Sequence, residues 1–143
     1  MQAGRDSILL ARSYLASRSD FTIETTLAGN GVLATMKEAK SLRYRAQLIY
    51  IAMAYPELNV ERVRLRVSQG GHDVPSEDVR RRYERSLANA PVAIKIADES
   101  SVYDNSGQFH RHILSYVDGR LTWQHHQLPT WCADLQNRVG SPA

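Results

Sequence analysis

Apolar and polar positions along the chain repeat at two periods, and the switches between them outline the elements. Ile8, Leu9, Tyr14 and Leu15 form an apolar stripe among arginines, which predicts a helix over residues 4–18. Residues 21–24, in "FTIETTLAGN", predict a short β-branched strand that breaks at Gly29 and Gly31. Val32, Leu33, Met36 and Ala39 then fall at helical spacing. Residues 46–54, "AQLIYIAMA", are almost continuously apolar, as in a strand covered on both faces. This β, α, β alternation predicts a parallel sheet with crossover helices.

"LNVERVRLRVSQGG" fits two periods. Val63, Leu65 and Val67 alternate as in a strand, whereas Val60, Val63 and Val67 share a helical face. Asn59 as a cap, Glu61 in the first turn and Gly70 beyond the end favour the helix. "SEDVRRRYERSLANA" predicts a second helix, capped by Ser76, with Glu77 and Asp78 at its positive end. Its Val79, Tyr83, Leu87 and Ala90 share one face; Arg81, Arg82 and Arg85 cluster on the other, and Arg80 flanks the stripe. "SSVYDNSG" reads as a strand entering a turn, and "RHILSYVDGRLTW" as a hairpin about Asp118-Gly119. The stretch from His125 is polar and reads as a peripheral tail. No repeat, low-complexity segment or linker divides the chain.

Composition changes this picture in one respect. The 143 residues suffice for a domain with a core, and 43% hydrophobic with 23% charged residues excludes a disordered chain. The net charge is only +3, but it is built from fifteen arginines against three lysines. The planar guanidinium suits bidentate contact with phosphate or carboxylate, so the partner is expected to be anionic. The single Cys132 excludes an internal disulfide and fits a reducing compartment. No apolar run approaches the roughly 18 residues of a membrane span, and "MQAGRDSILLARS" lacks the features of a signal peptide. Cytoplasm is the expected compartment, with no membrane partner. His110, His112, His125 and His126 have no cysteine or acidic partner at ligand spacing, so no metal site is expected. Trp123 and Trp131 read as packing or surface residues rather than platforms for bases.

The arginine helix has two readings. One is a solvated basic face. The other starts from crowding: three like charges within a turn, with only Glu84 among them, are easier to place opposite an anion. "GGH" and Val74-Pro75 before it look like a hinge ahead of a rigid helix start. A hinge followed by an arginine-bearing helix suits a lid over transferring phosphates.

"FTIETTLAG", "RVRLRVSQGGHDVPSEDVRRRYERSLANA" and "VYDNS" together resemble the zeta-toxin-like family of P-loop kinases. That pattern is a strand ending in Glu-Thr-Thr, a helix, a second strand, a Gly-Gly-His-x-Val/Ile-Pro hinge, an arginine helix and a Tyr-Asp-Asn-Ser strand end. The resemblance covers residues 3–123. It implies a P-loop NTPase-like α/β fold with flanking helices and a C-terminal hairpin, as a partial domain over 1–124 followed by a tail over 125–143. It also implies ATP-dependent phosphorylation of a small-molecule hydroxyl, such as that of the nucleotide sugar UDP-N-acetylglucosamine, with ATP and Mg2+ as cofactors in the complete enzyme. Arg82 and Arg85, with Arg81 as a lesser candidate, match the lid arginines that neutralise ATP phosphates. Glu24, Thr25 and Thr26 match the acceptor-binding strand end, where a carboxylate holds a hydroxyl or orients magnesium through water; Glu24 also reads as a simple turn or cap. Arg66, with Arg62 one turn before it, lines the same cleft or forms structural ion pairs. His72 belongs to the hinge, and Asp104 and Asn105 approach the nucleotide base or serve the turn.

The chain departs from this family in what it lacks. No G-x-x-x-x-G-K-[ST] occurs, and Lys37, Lys40 and Lys95 follow no glycine-rich loop. The family's general-base aspartate is missing too, and Arg43 stands where relatives carry glycine before the second strand. The family's first strand, which lies between residues 21–24 and 46–54, is also absent, which predicts two unpaired apolar edges. Phosphoryl transfer by this chain alone is therefore not expected. The partners this implies are a small-molecule substrate and an antitoxin protein or complementing N-terminal segment. The alternatives are a non-catalytic nucleotide- or partner-binding remnant and, ranked last, a nucleic-acid-binding module. The last lacks any aromatic-interleaved basic stripe.

Overall fold

The computed structural model describes residues 2–140. Helices α1 (Gln2–Ala16) and α2 (Asn30–Ser41) precede strand β1 (Gln47–Ala52). Helices α3 (Pro56–Ser68) and α4 (Ser76–Ile96) follow, then β2 (Glu99–Asp104), β3 (Arg111–Val117), β4 (Arg120–Gln124) and α5 (Trp131–Gly140). The protein is α/β, with an open sheet of order β1-β2-β3-β4. Only β1 and β2 are parallel; the other two pairs are antiparallel, so the sheet is mixed rather than parallel as expected. The connections decide this. The α3–α4 crossover returns the chain to run alongside β1, whereas short links fold β3 and β4 back on their neighbours. At the β3–β4 link, Asp118 (φ 48°) and Gly119 (φ 71°) supply the two left-handed residues of a tight hairpin.

One face of the sheet holds the core. Tyr50, Val102 and Leu114 are cross-strand neighbours, all buried, and they join Leu33 of α2 and Ala90, Ala93 and Ile94 of α4 in one cluster. On the opposite face Ile49 and Ile51 are 65% and 49% exposed. The apolar run of β1 is therefore covered on one face only, which corrects the sequence expectation: α2, α4 and α5 all contribute to the Tyr50 face. Residues 21–24 form no strand. β1 is already bonded to β2, and among the described residues no further strand joins its other side.

Helix ends show why several boundaries moved. α3 begins at Pro56, ahead of the expected Asn59 cap, because proline at the first helical position is preorganised for the turn. Ser76 is the first residue of α4 rather than its cap. α4 also runs through Pro91, whose cost of about 3 kcal/mol is offset by the complete burial of Ala90, Ala93 and Ile94. α1, α2 and α3 all end in the same left-handed cap, with Arg18 (φ 57°), Arg43 (φ 64°) and Gly70 (φ 89°) at the turning position. In each, the next amide reaches back to the helix: Ser19 to the Tyr14 carbonyl (3.0 Å), Tyr44 to Ala39 (3.0 Å) and Gly71 to Arg66 (2.9 Å).

The stretch expected to be a peripheral tail folds into the core as α5. Trp131, Cys132, Leu135 and Val139 recur at helical spacing and are buried, with Cys132 fully inaccessible. Trp123, by contrast, lies near the surface and stacks on His112 at 4.6 Å.

Candidate functional site

A cleft of about 440 Å3 opens at the carboxyl end of β1, between α3 and α4. This is where open α/β sheets place ligands, because the strand ends leave a crevice between crossing chains. Ile51, Met53, Val63, Val74 and Val79 give it an apolar wall, and Thr26, Tyr50, Tyr83 and Ser86 add hydroxyls. Arg62, Arg66 and Arg82 bring three guanidinium groups to it, and no carboxylate lines it.

Two of these arginines are held by neutral partners. Arg62 Nη2 donates to the Asn105 carbonyl (2.8 Å), and Arg66 Nη2 to the His72 carbonyl (3.2 Å). Among the described residues neither they nor Arg82 meets a carboxylate within ion-pair distance, so three positive charges stay uncompensated. The rest of the arginine helix is sorted differently. Arg80 pairs with Glu57 (3.1 Å), and Arg81 with Asp78 one turn back (2.6 Å). Arg85 is exposed and lies outside the cleft lining.

Two hydroxyls fix the floor. Tyr83 donates to the Met53 carbonyl (2.9 Å), with the Ala54 carbonyl also in reach (3.1 Å), and so ties α4 to the end of β1. Burial, with help from Glu57, raises its pKa. The Tyr50 hydroxyl lies 3.2 Å from Ser86 Oγ, and burial pushes its pKa up to about 12 against the opposing effect of that bond. Both phenols are therefore neutral at physiological pH. The cleft can bind an anion, but no lining side chain can act as a general base there.

The other predicted residues sit nearby in structural roles or on the surface. Glu24 and Thr25 are exposed and outside the lining; Thr25 Oγ1 accepts from the Leu27 amide (3.1 Å) in a local turn. Leu27 itself is left-handed (φ 58°), and its carbonyl is held by Asn89 Nδ2 (2.8 Å). His72 has an exposed side chain and meets the site through its carbonyl alone. Asp104 is buried, accepts from Ser106 Oγ (2.6 Å) and lies 3.5 Å from Arg111 Nη2. Asn105 reaches the rim through Arg62, while its amide extends the β1–β2 pairing to Ala52. Tyr50, Tyr83 and Ser86 were not singled out from the sequence, since two lie on apolar stripes and the third carries no motif.

Neither a protein-family model nor a solved structure matches the chain. An uncharacterized protein of Haemophilus influenzae is 35% identical to it over 83 residues, 58% of this chain. The chain covers 59% of that relative's length.

The donor set discriminates between the cofactors that the family resemblance implies. Three unpaired guanidinium groups fit phosphate oxygens. Magnesium requires oxygen ligands, usually carboxylates, and the cleft lining has none. Among the described residues no cluster of three His, Cys, Asp or Glu side chains has metal-binding geometry, and no helix is long and apolar enough to cross a membrane.

Proposed function

We propose that the chain is part of a P-loop NTPase-like kinase domain of zeta-toxin type, in which the cleft grips the phosphates of a nucleotide. The observation that carries this reading is the convergence of Arg62, Arg66 and Arg82 on a carboxylate-free cleft at the end of β1. The motif resemblance supplies the reaction: transfer of the γ-phosphoryl group of ATP to a hydroxyl of a small molecule, such as a nucleotide sugar. In this reading Arg82 is the clamp that offsets developing phosphate charge, Arg62 and Arg66 hold the phosphates, and Thr26 contacts the acceptor at the mouth. None of the lining residues is suited to hold magnesium, so no step of the reaction is assigned to it here. Antitoxin binding or a complementing N-terminal segment belongs to the same reading.

Alone, the chain binds phosphate without transferring it. It has no amide cradle or lysine for the transferring group, and the cleft has no base. That favours the non-catalytic reading for the isolated chain. The nucleic-acid reading stays last, because Arg62, Arg66 and Arg82 line a concave cleft and Arg80 and Arg81 are paired with carboxylates.

Calorimetry with Mg-ATP tests this. No micromolar binding is expected, and micromolar affinity would overturn the claim that the missing loop disables the chain. At millimolar ATP, NMR shifts should concentrate at Arg62, Arg66 and Arg82. Shifts centred elsewhere would remove the cleft from consideration.

A further inference from the structure

The core covers one face of the sheet, and the opposite face carries an apolar knob beside a hole. On that outer face Ile51 of β1 and Tyr103 of β2 are cross-strand partners, with Ile49 two residues before Ile51. Together with His110 they line a hollow of about 200 Å3. Tyr103 is a fixed wall of it: its ring lies 5.0 Å from that of His112, which stacks in turn on Trp123 at 4.6 Å. The knob is Phe109, the residue before His110 in the β2–β3 link. It is 77% exposed, more than any other large hydrophobic side chain among the described residues.

The hollow selects against most occupants. Sites for small molecules measure about 300–1,000 Å3, so this one is sized for a single side chain. No acid, lysine or arginine lines it. The nearest charges on the strands are already paired, Arg45 with Glu99 and Arg111 with Asp104 (3.5 Å). An acidic or basic partner therefore finds no free counter-charge at the hollow. A second copy of the chain needs none. In a twofold contact residue i meets residue j and j meets i, so a knob and a hole side by side are satisfied together.

The area is sufficient for a weak dimer. Four strands of about six residues present a face of roughly 19 by 20 Å, or about 400 Å2 per copy. Two such faces bury about 800 Å2, and two inserted rings of about 150–250 Å2 each bring the total to about 1,200 Å2, the lower limit of stable specific interfaces. We propose that this face joins two copies of the chain in a twofold dimer, with Phe109 of each copy seated in the hollow of the other. The contact covers Ile49 and Ile51, whose apolar run has the composition of a strand buried on both faces. It adds no strand to the edge of β1, and it does not require the cleft to bind phosphate.

Sedimentation velocity on the full chain from about 1 μM to about 1 mM tests this, and a monomer–dimer equilibrium with Kd of about 10–100 μM is expected for so small an interface. Phe109→Ser and Ile49→Glu alter exposed positions, so both variants should fold, as unchanged urea midpoints would show. Each should self-associate at least about tenfold more weakly than the parent chain, because an aromatic anchor or its pocket is lost. An equimolar mixture of the two keeps one intact knob and one intact hole, so it should associate more tightly than either variant alone. In a mixed-label sample of the parent chain, isotope-filtered NMR should place the Phe109 ring of one copy beside the Ile49 and Ile51 methyls of the other. Three outcomes overturn the proposal: a monomer at the highest concentration, which would leave the hollow to a different protein; a dimer that Phe109→Ser leaves intact; or a mixture no tighter than its components.

Discussion

The Tyr83 hydroxyl lies 2.9 Å from the Met53 carbonyl, and this bond ties the arginine helix to the strand end beneath it, one turn from the Tyr50–Ser86 contact. Arg82 precedes Tyr83 in sequence, so the bond also sets where that guanidinium stands at the cleft. Tyr83→Phe should cost about 1 kcal/mol in chemical denaturation. It should also weaken the ATP-dependent NMR shift at Arg82 more than at Arg62, which is held independently by Asn105.

Arg82→Ala and Arg66→Ala should leave stability within about 0.5 kcal/mol, because neither makes an ion pair. Both should abolish the millimolar ATP shifts. In a protein completed with a Walker-type loop, Arg82→Ala should lower turnover far more than it lowers the melting temperature. Comparable losses in both would make Arg82 a structural residue.

Leu135→Ala should destabilise the protein by about 2–4 kcal/mol, because a fully packed side chain of α5 is removed from the core. Trp123→Ala, on a partly exposed ring, should cost well under half of that. Urea unfolding of the two variants checks the order. Equal, small effects would return α5 to the status of a tail.

Arg43→Gly should stabilise the protein by about 0.5–1 kcal/mol, since φ 64° is a conformation that glycine adopts without a Cβ penalty. Arg18→Gly should gain less despite its similar φ, because Arg18 Nη1 donates to the Leu42 carbonyl (2.7 Å) at the end of α2. The difference between the two denaturation midpoints is the measurement.

Alkali should destabilise the fold early. Burial holds the pKa values of Cys132, Tyr50 and Tyr116 up at about 12, against ordinary values of 9.0 for the thiol and 10.0 for the phenols. Above pH 9 the unfolded chain releases these protons and the native one keeps them, so stability falls with rising pH. The decline should begin with Cys132 near pH 9, steepen above pH 10 and level off near pH 12. Cys132→Ala should remove its first part, as urea midpoints taken across this range would show.

How much of this was legible in the sequence depended on which neighbours each stretch found. Val79, Tyr83 and Ala90 gave the buried side of α4 correctly, because a helical period needs no knowledge of distant strands. Residues 21–24 failed as a strand for the opposite reason: β-branched composition supplies propensity, but a strand exists only where another offers bonds. Ile49 and Ile51 looked doubly covered, since an apolar run cannot say which faces the helices take. α5 had a clear signal in Trp131, Leu135 and Val139, but the intervening polar residues obscured it. In the cleft, Arg62 and Arg66 could be paired by their spacing, and only the folded chain separated Arg82 from Arg81.

A Cβ on Gly71 would fall 2.5 Å from Arg66 Cγ and 2.8 Å from the Arg66 carbonyl oxygen. The backbone at Gly71 therefore closes tightly on the end of α3, and the Tyr83 hydroxyl anchors the helix that follows to the end of β1. If the cleft binds phosphate as proposed, the grip should come from side-chain torsions of Arg62, Arg66 and Arg82. Such rotations take nanoseconds or less rather than milliseconds. Mixing phosphate with the protein should accordingly give one concentration-dependent phase, with no slower unimolecular step behind it.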